Sequence, residues 1–151
     1  MKISIHSRGS IERMIERHDI DNQTAIVSFA DNVDDFVEFP EGTHVLKVAF
    51  YDISPFSIPF TDYEKVLPEA YDIAKFVSLN LKQGRNIICQ CDCGVSRSAG
   101  LAAAIMEHYK HEGIKVFADY RYSPNQFVFN KVLRALKQLK QQSINKGGVD
   151  A

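Results

Sequence analysis

Apolar and polar positions alternate in two registers along this chain, and the register changes mark its elements. Alternation in "KISIHS" (residues 2 to 7) predicts a first strand. Ile11, Met14 and Ile15 then fall on one helical face, with Ser10 as the expected cap. "TAIVSFA" (24 to 30) is a short unbroken apolar run, the pattern of a strand buried on both faces. "THVLKVAFYD" (43 to 52) predicts another strand, ending at Asp52. The two prolines of "ISPFSIPF" exclude a central strand, and Thr61 with Glu64 has the spacing of a capping box.

After Pro68 resets the helix start, Ala70, Ile73, Ala74, Val77 and Leu81 make a buried stripe that Gly84 ends. "NIIC" is a short strand, and "SAGLAAAIMEHYKHEG" a helix whose small first half suits close packing on a sheet, with Gly113 as its stop. Ser123 as cap, Pro124 at the first helical position and Gln126 open a last helix, in which Phe129, Val132, Leu133, Leu136 and Leu139 face the core. Residues 143 to 151 read as a frayed tail, leaving one domain over 1 to 142. Strands alternating with helices predict a single three-layer α/β domain, a mainly parallel sheet flanked by helices. Ligands of such sheets gather beyond the carboxyl ends of the strands, where Asp52 and Cys91 fall.

Composition narrows the function classes. Eighteen basic residues stand against nineteen acidic ones among 151, so no electrostatic footprint points to nucleic acid or an anionic membrane. No apolar run approaches a membrane span, and the early charges of the first residues do not fit a signal peptide. The three cysteines, Cys89, Cys91 and Cys93, lie too close together to staple a fold and read as thiols of a reducing cytoplasm.

"ICQCDCGVSRSAG" (88 to 100) could be a metal clip, a redox relay or a nucleophile in an anion loop. Alternate cysteines on a strand face opposite ways, which disfavours zinc and its C-x-x-C knuckle. His108 and His111 sit at a charged helix end, where exposure is favoured over ligation. Strand, tight loop and helix turn successive backbone N–H groups inward, and the helix N-terminus adds positive charge. Gly94 lets the chain bend, Arg97 offers a planar fork for two oxygens, and Ser98 can donate to sulfur. The same surroundings lower the Cys91 thiol pKa. Cys89 is expected in the core and Cys93 packed under the loop, where it could trap an oxidised Cys91 as a disulfide. Asp31, Asp34 and Asp35 read as a solvated loop without chemistry, and Tyr51, Phe56 and Phe60 either wall a cleft or pack in the core.

"CDCGVSRSAG" resembles the signature loop of the cysteine-dependent protein tyrosine phosphatases, closest to the compact dual-specificity type. "VLKVAFYD" is similar to the strand carrying that family's general-acid aspartate, "PEAYDIAKFV" to the helix before the signature strand, and "YSPNQFVFNKVL" to the segment opening the last helix. Residues 43 to 137 carry the likeness. It implies that Cys91 attacks phosphorus and that Arg97, with the amides of Asp92, Cys93, Gly94, Val95 and Ser96, holds the phosphoryl oxygens. Ser98 would assist breakdown of the phosphocysteine and Asn125 would brace the loop. Asp52 would be the general acid, with Asp62 as its rival, because Asp52 lies 39 residues before Cys91 and Asp62 only 29. No metal or cofactor is implied. Gln90 stands where the family usually has histidine, and can hydrogen-bond but carries no charge.

The function so implied is hydrolysis of a phosphorylated protein or small phosphomonoester, on phosphotyrosine first and phosphoserine or threonine second. Lysine is missing from the loop interior, and Asp92 stands at its mouth, which disfavours polyphosphorylated lipids. Two other readings remain open: sulfur transfer or arsenate reduction of the rhodanese kind, and an inactive phosphate-binding module.

Overall fold

The computed structural model describes residues 1–147. Four strands, β1 (Ile3–His6), β2 (Thr24–Ala30), β3 (His44–Ala49) and β4 (Asn86–Gln90), form one sheet in the order β1-β4-β2-β3. Every neighbouring pair is parallel. The helices are α1 (Arg8–Glu16), α2 (Ala70–Lys82), α3 (Arg97–Lys110), α4 (Ile114–Phe117) and α5 (Gln126–Asn145), with a 3-10 helix over Phe60–Lys65. The α/β class and the parallel sheet are as the pattern predicts.

Strand periodicity sorts the core into two layers. Ala25, Val27 and Phe29 of β2, with Ile87 and Cys89 of β4, face α2, α3 and α5. Their alternates Ile26 and Ile88 face Ile11, Met14 and Ile15 of α1. Because β2 is covered on both sides, its apolar run has no polar face to show. The small residues Ala99, Gly100, Ala102, Ala103 and Ala104 bury α3 at the centre of its layer. A side chain at Gly100 would place Cβ 2.5 Å from the Asn125 carbonyl, so α3 and the entry to α5 meet at backbone distance only through a glycine.

Several boundaries differ from the pattern. Ser7, not Ser10, caps α1, its Oγ accepting from Ser10 N–H at 3.1 Å while the Ser10 hydroxyl turns to His6 Nδ1 at 2.8 Å. The strand expected to reach Asp52 stops at Ala49, since β2, its neighbour in the sheet, ends at Ala30 and offers no further ladder. Thr61 and Glu64 form no capping box and lie inside the 3-10 helix. Gly113 does not end α3; His111 does, in a left-handed conformation (φ 57°), and Gly113 precedes the short α4 that the pattern did not show. Asn125 replaces Ser123 as cap of α5, accepting from Val128 N–H at 3.1 Å, so Pro124 lies outside the helix. The expected tail starts as the last turn of α5, through Asn145, and its residues 148 to 151 lie outside the described part. Among the described residues no helix is long and apolar enough to cross a membrane.

Candidate active site

The cysteine loop runs from the end of β4 to the start of α3, at the carboxyl edge of the sheet. Cys91 continues the ladder, donating its N–H to the His6 carbonyl at 3.2 Å. The junction of β1 and α1 then braces the turn, with Arg8 N–H on the Asp92 carbonyl at 3.0 Å. Gly94 sits at φ +69°, and a Cβ there would lie 2.7 Å from Ser7 N, so the loop needs glycine for both its conformation and its fit. From the other side, Ser123 N–H bonds the Val95 carbonyl and Asn125 N–H the Ser96 carbonyl, both at 3.0 Å.

The Cys91 thiol is 2% exposed, with Sγ 3.0 Å from Ser98 Oγ. Burial pushes its pKa up, but hydrogen bonds from the Ser98 hydroxyl and from the N–H groups of Ser98, Gly94 and Val95 outweigh burial and hold it below the ordinary thiol value. Ser98 and the loop amides thus converge on the sulfur.

Arg97 is 4% exposed at the head of α3. Its Nη1 donates to Asp31 Oδ1 at 2.9 Å and to the Phe50 carbonyl at 2.6 Å, while Nε is buried without a partner. Asp31, read from sequence as a solvated residue without chemistry, therefore anchors the guanidinium. The available signal was its position, the first residue after β2 at the ligand-binding edge. Gln90 is buried; its Oε1 accepts from the Ser28 hydroxyl and its Nε2 donates to the Cys91 carbonyl at 3.0 Å. Ser28 was the other residue the sequence did not single out, although the register pairs it with Gln90.

Asp52 is brought to the loop although its strand is shorter than expected. Its Oδ1 accepts from Ser96 Oγ and from Asn125 Nδ2, each at 2.7 Å. Asn125 also donates to the Ile53 carbonyl at 2.8 Å, tying the Asp52 segment to the start of α5. A cavity of about 210 Å³ opens there, lined by Asp52, Pro55, Ser96 and Asn125 among others. Asp62 sits instead on the 3-10 helix, 3.9 Å from Lys65.

Cys89 is fully buried as expected, and burial followed by the neighbouring Cys91 charge pushes its pKa up. Cys93 is exposed rather than packed under the loop. Tyr51, Phe56 and Phe60 are exposed, so core packing does not account for them, and none of them lines the cavity beside Asp52. His111 is exposed while His108 is half-buried.

The result is an α/β protein whose parallel sheet carries, at its carboxyl edge, a cysteine loop with backbone amides gathered about one buried thiol. The structure of PTPMT1 superposes with a TM-score of 0.56 at 12% identity over 95% of each chain, and PTPMT1 has also been solved in complex with PI(5)P. DUSP15 gives 0.57 at 13% over 91% of this chain and 90% of its own, and human DUSP28 gives 0.53 at 17% over 93% and 95%. No model of a known protein family and no curated protein matches the sequence. At these identities the likeness establishes the fold, and the fold is that of the compact, dual-specificity-like tyrosine phosphatases.

Proposed function

We propose that this chain is a metal-independent phosphatase that hydrolyses phosphomonoesters through a phosphocysteine, with phosphotyrosine in proteins as its first substrate class and phosphoserine or threonine as its second. The observation that carries the reading is the buried Cys91 thiol, held acidic by the Ser98 hydroxyl and the amides of Ser98, Gly94 and Val95. Lowering the thiol pKa raises its share of thiolate, the nucleophilic form, and the same amides suit a phosphoryl group above it. Arg97 would grip the phosphoryl oxygens, its unpartnered Nε supplying one donor.

In the first step the Cys91 sulfur attacks phosphorus, an S–P bond forms and the P–O bond to the alcohol breaks. Asp52 gives its proton to the leaving oxygen. In the second step Asp52 takes a proton from water, the water oxygen attacks phosphorus, and the thiolate leaves with a hydrogen bond from Ser98. Asp52 is favoured over Asp62 because Ser96 and Asn125 tie it to the loop, whereas Asp62 sits beside Lys65. That tether also favours the phosphatase over sulfur transfer or arsenate reduction, which need no general acid.

The PI(5)P complex of PTPMT1 belongs to that protein. Here Asp31, Asp52 and Asp92 stand about the loop, and its interior holds no lysine, which supports a less charged monoester.

Hydrolysis of p-nitrophenyl phosphate tests the proposal. Steady turnover should be abolished in Cys91→Ser, slowed about 10²-fold or more in Asp52→Asn, and unchanged in Asp62→Asn. Binding of phosphotyrosine without turnover would establish the inactive module instead.

A further inference from the structure

Asp52 stands at the apex of a three-residue turn, which Ile53 N–H closes on the Tyr51 carbonyl at 2.8 Å. The chain beyond that turn is fixed twice. The Tyr63 hydroxyl donates to the Pro55 carbonyl, and Lys131 Nζ donates to the Tyr63 carbonyl at 2.7 Å. The Asp52 carboxyl is therefore presented from a braced segment, and its two oxygens are not equivalent. Oδ1 accepts from both Ser96 Oγ and Asn125 Nδ2, whereas Oδ2 has no hydrogen-bond partner among the described residues.

Asn125 is buried, and its neighbours allow its side-chain amide one orientation. The amide oxygen accepts from Val128 N–H at 3.1 Å, and Nδ2 spends its second hydrogen on the Ile53 carbonyl at 2.8 Å. Turned over, the amide would set donor against donor at Val128 and acceptor against acceptor at Ile53. Nδ2 therefore faces Asp52, where it can only donate. In a protonated carboxyl the carbonyl oxygen is the better acceptor, so a donor fixed on Oδ1 leaves the proton to Oδ2. Ser96 Oγ has no other partner among the described residues, and as a second donor to Oδ1 it strengthens that preference. The Ser96 backbone has separate duties, its carbonyl accepting from Gly100 N–H at 2.8 Å and Asn125 N–H at 3.0 Å.

We propose that the Ser96 hydroxyl is a positioning group for the general acid: with Asn125 it holds Oδ1 of Asp52 as an acceptor, so that the proton to be transferred sits on Oδ2. The assignment rests on the phosphatase reading and goes beyond it, since it names the reacting oxygen and the side chain that selects it. In the first step the S–P bond forms, the P–O bond breaks, and the proton leaves Oδ2 for the ester oxygen. The charge left on the carboxylate meets two donors already in place at Oδ1, and hydrogen bonds to an ionised acceptor are the stronger ones. In the second step Oδ2 takes a proton from water as the water oxygen attacks phosphorus, and the S–P bond breaks to return the thiolate.

The test uses leaving groups of different basicity, because a basic leaving oxygen needs the acid more than an acidic one does. For the full chain, kcat/KM is measured with phenyl phosphate and with p-nitrophenyl phosphate. Ser96→Ala removes one oxygen and keeps the backbone bonds of the loop, with melting curves as the control for folding. It should lower kcat/KM about tenfold for phenyl phosphate and by a smaller factor for p-nitrophenyl phosphate. In the Asp52→Asn background the same substitution should no longer separate the two esters, because the hydroxyl acts through the carboxyl. Equal losses on both esters, or the same separation without the carboxyl, overturn the assignment and leave the phosphatase reading standing. Turnover of neither ester by the unmodified chain removes both.

Discussion

Cys89 and Cys91 are two residues apart and have opposite chemistry, because β4 ends between them. Cys89 points into the layer beneath α2, α3 and α5, where burial penalises the thiolate. Cys91 has left the strand, and four hydrogen bonds reach its sulfur. Ultraviolet absorbance of the thiolate should therefore rise with an apparent pKa below the ordinary thiol value of about 8.5, and Cys91→Ser should remove that transition while Cys89→Ala leaves it. The sign for Ser98→Ala follows from its bond, which favours the charged form. Its loss should move the transition up, so activity falls more at pH 6 than at pH 8. A transition at the same pH in Ser98→Ala would remove the hydroxyl from the account. Gln90 makes a different demand, because it fills a buried position with two polar ends, both satisfied. Gln90→Leu strands the Ser28 hydroxyl and the Cys91 carbonyl, and should cost about 1–3 kcal/mol in denaturant unfolding.

At the scale of elements, all four strands were legible, β3 with an end placed too far on, while the starts of α1 and α5 were not. β2 was readable to its ends because a strand buried on both faces leaves an uninterrupted apolar run. Ser123 and Pro124 had the chemistry of a helix start, but the Ser123 and Asn125 N–H groups are spent on the Val95 and Ser96 carbonyls. That long-range pairing keeps the segment extended under the loop and delays α5 to Gln126. Asp31 was missed for a related reason: an acidic run reads as solvent-facing until the fold carries Arg97 to it across 66 positions. That Cys91, Arg97 and Ser98 lie together was legible because loop and helix hold them within a few residues. The Asn125 side chain joins these pieces, capping α5 while holding Asp52. Asn125→Ala should lose about 1 kcal/mol of stability as a cap and also lower kcat for p-nitrophenyl phosphate. Asn125→Asp keeps an acceptor for Val128 N–H but sets a carboxylate against Asp52, so it should recover stability without recovering kcat. Equal recovery of both would reduce Asn125 to a cap.

On the scale of the whole molecule, the polar groups that matter gather at one edge of the sheet. β1 braces Cys91 through its terminal carbonyl, β2 delivers Asp31, the chain after β3 delivers the Phe50 carbonyl and Asp52, and β4 delivers the loop. An oxyanion seated among them would tie four strands and two helices together, so its binding should be felt as global stability. A ligand that binds only the folded chain adds about 2.7 kcal/mol at a hundred times its dissociation constant. For a domain of this size that is a rise in melting temperature of roughly 5–10 °C. Tungstate should produce it in the unmodified chain and in Cys91→Ser, since oxygen at that position leaves the amides and Arg97 in place. Arg97→Met should lose most of the shift, and Lys140→Glu, on α5 beside His108, should keep it. A shift that survives Arg97→Met would place the tungstate elsewhere and detach the guanidinium from oxyanion binding.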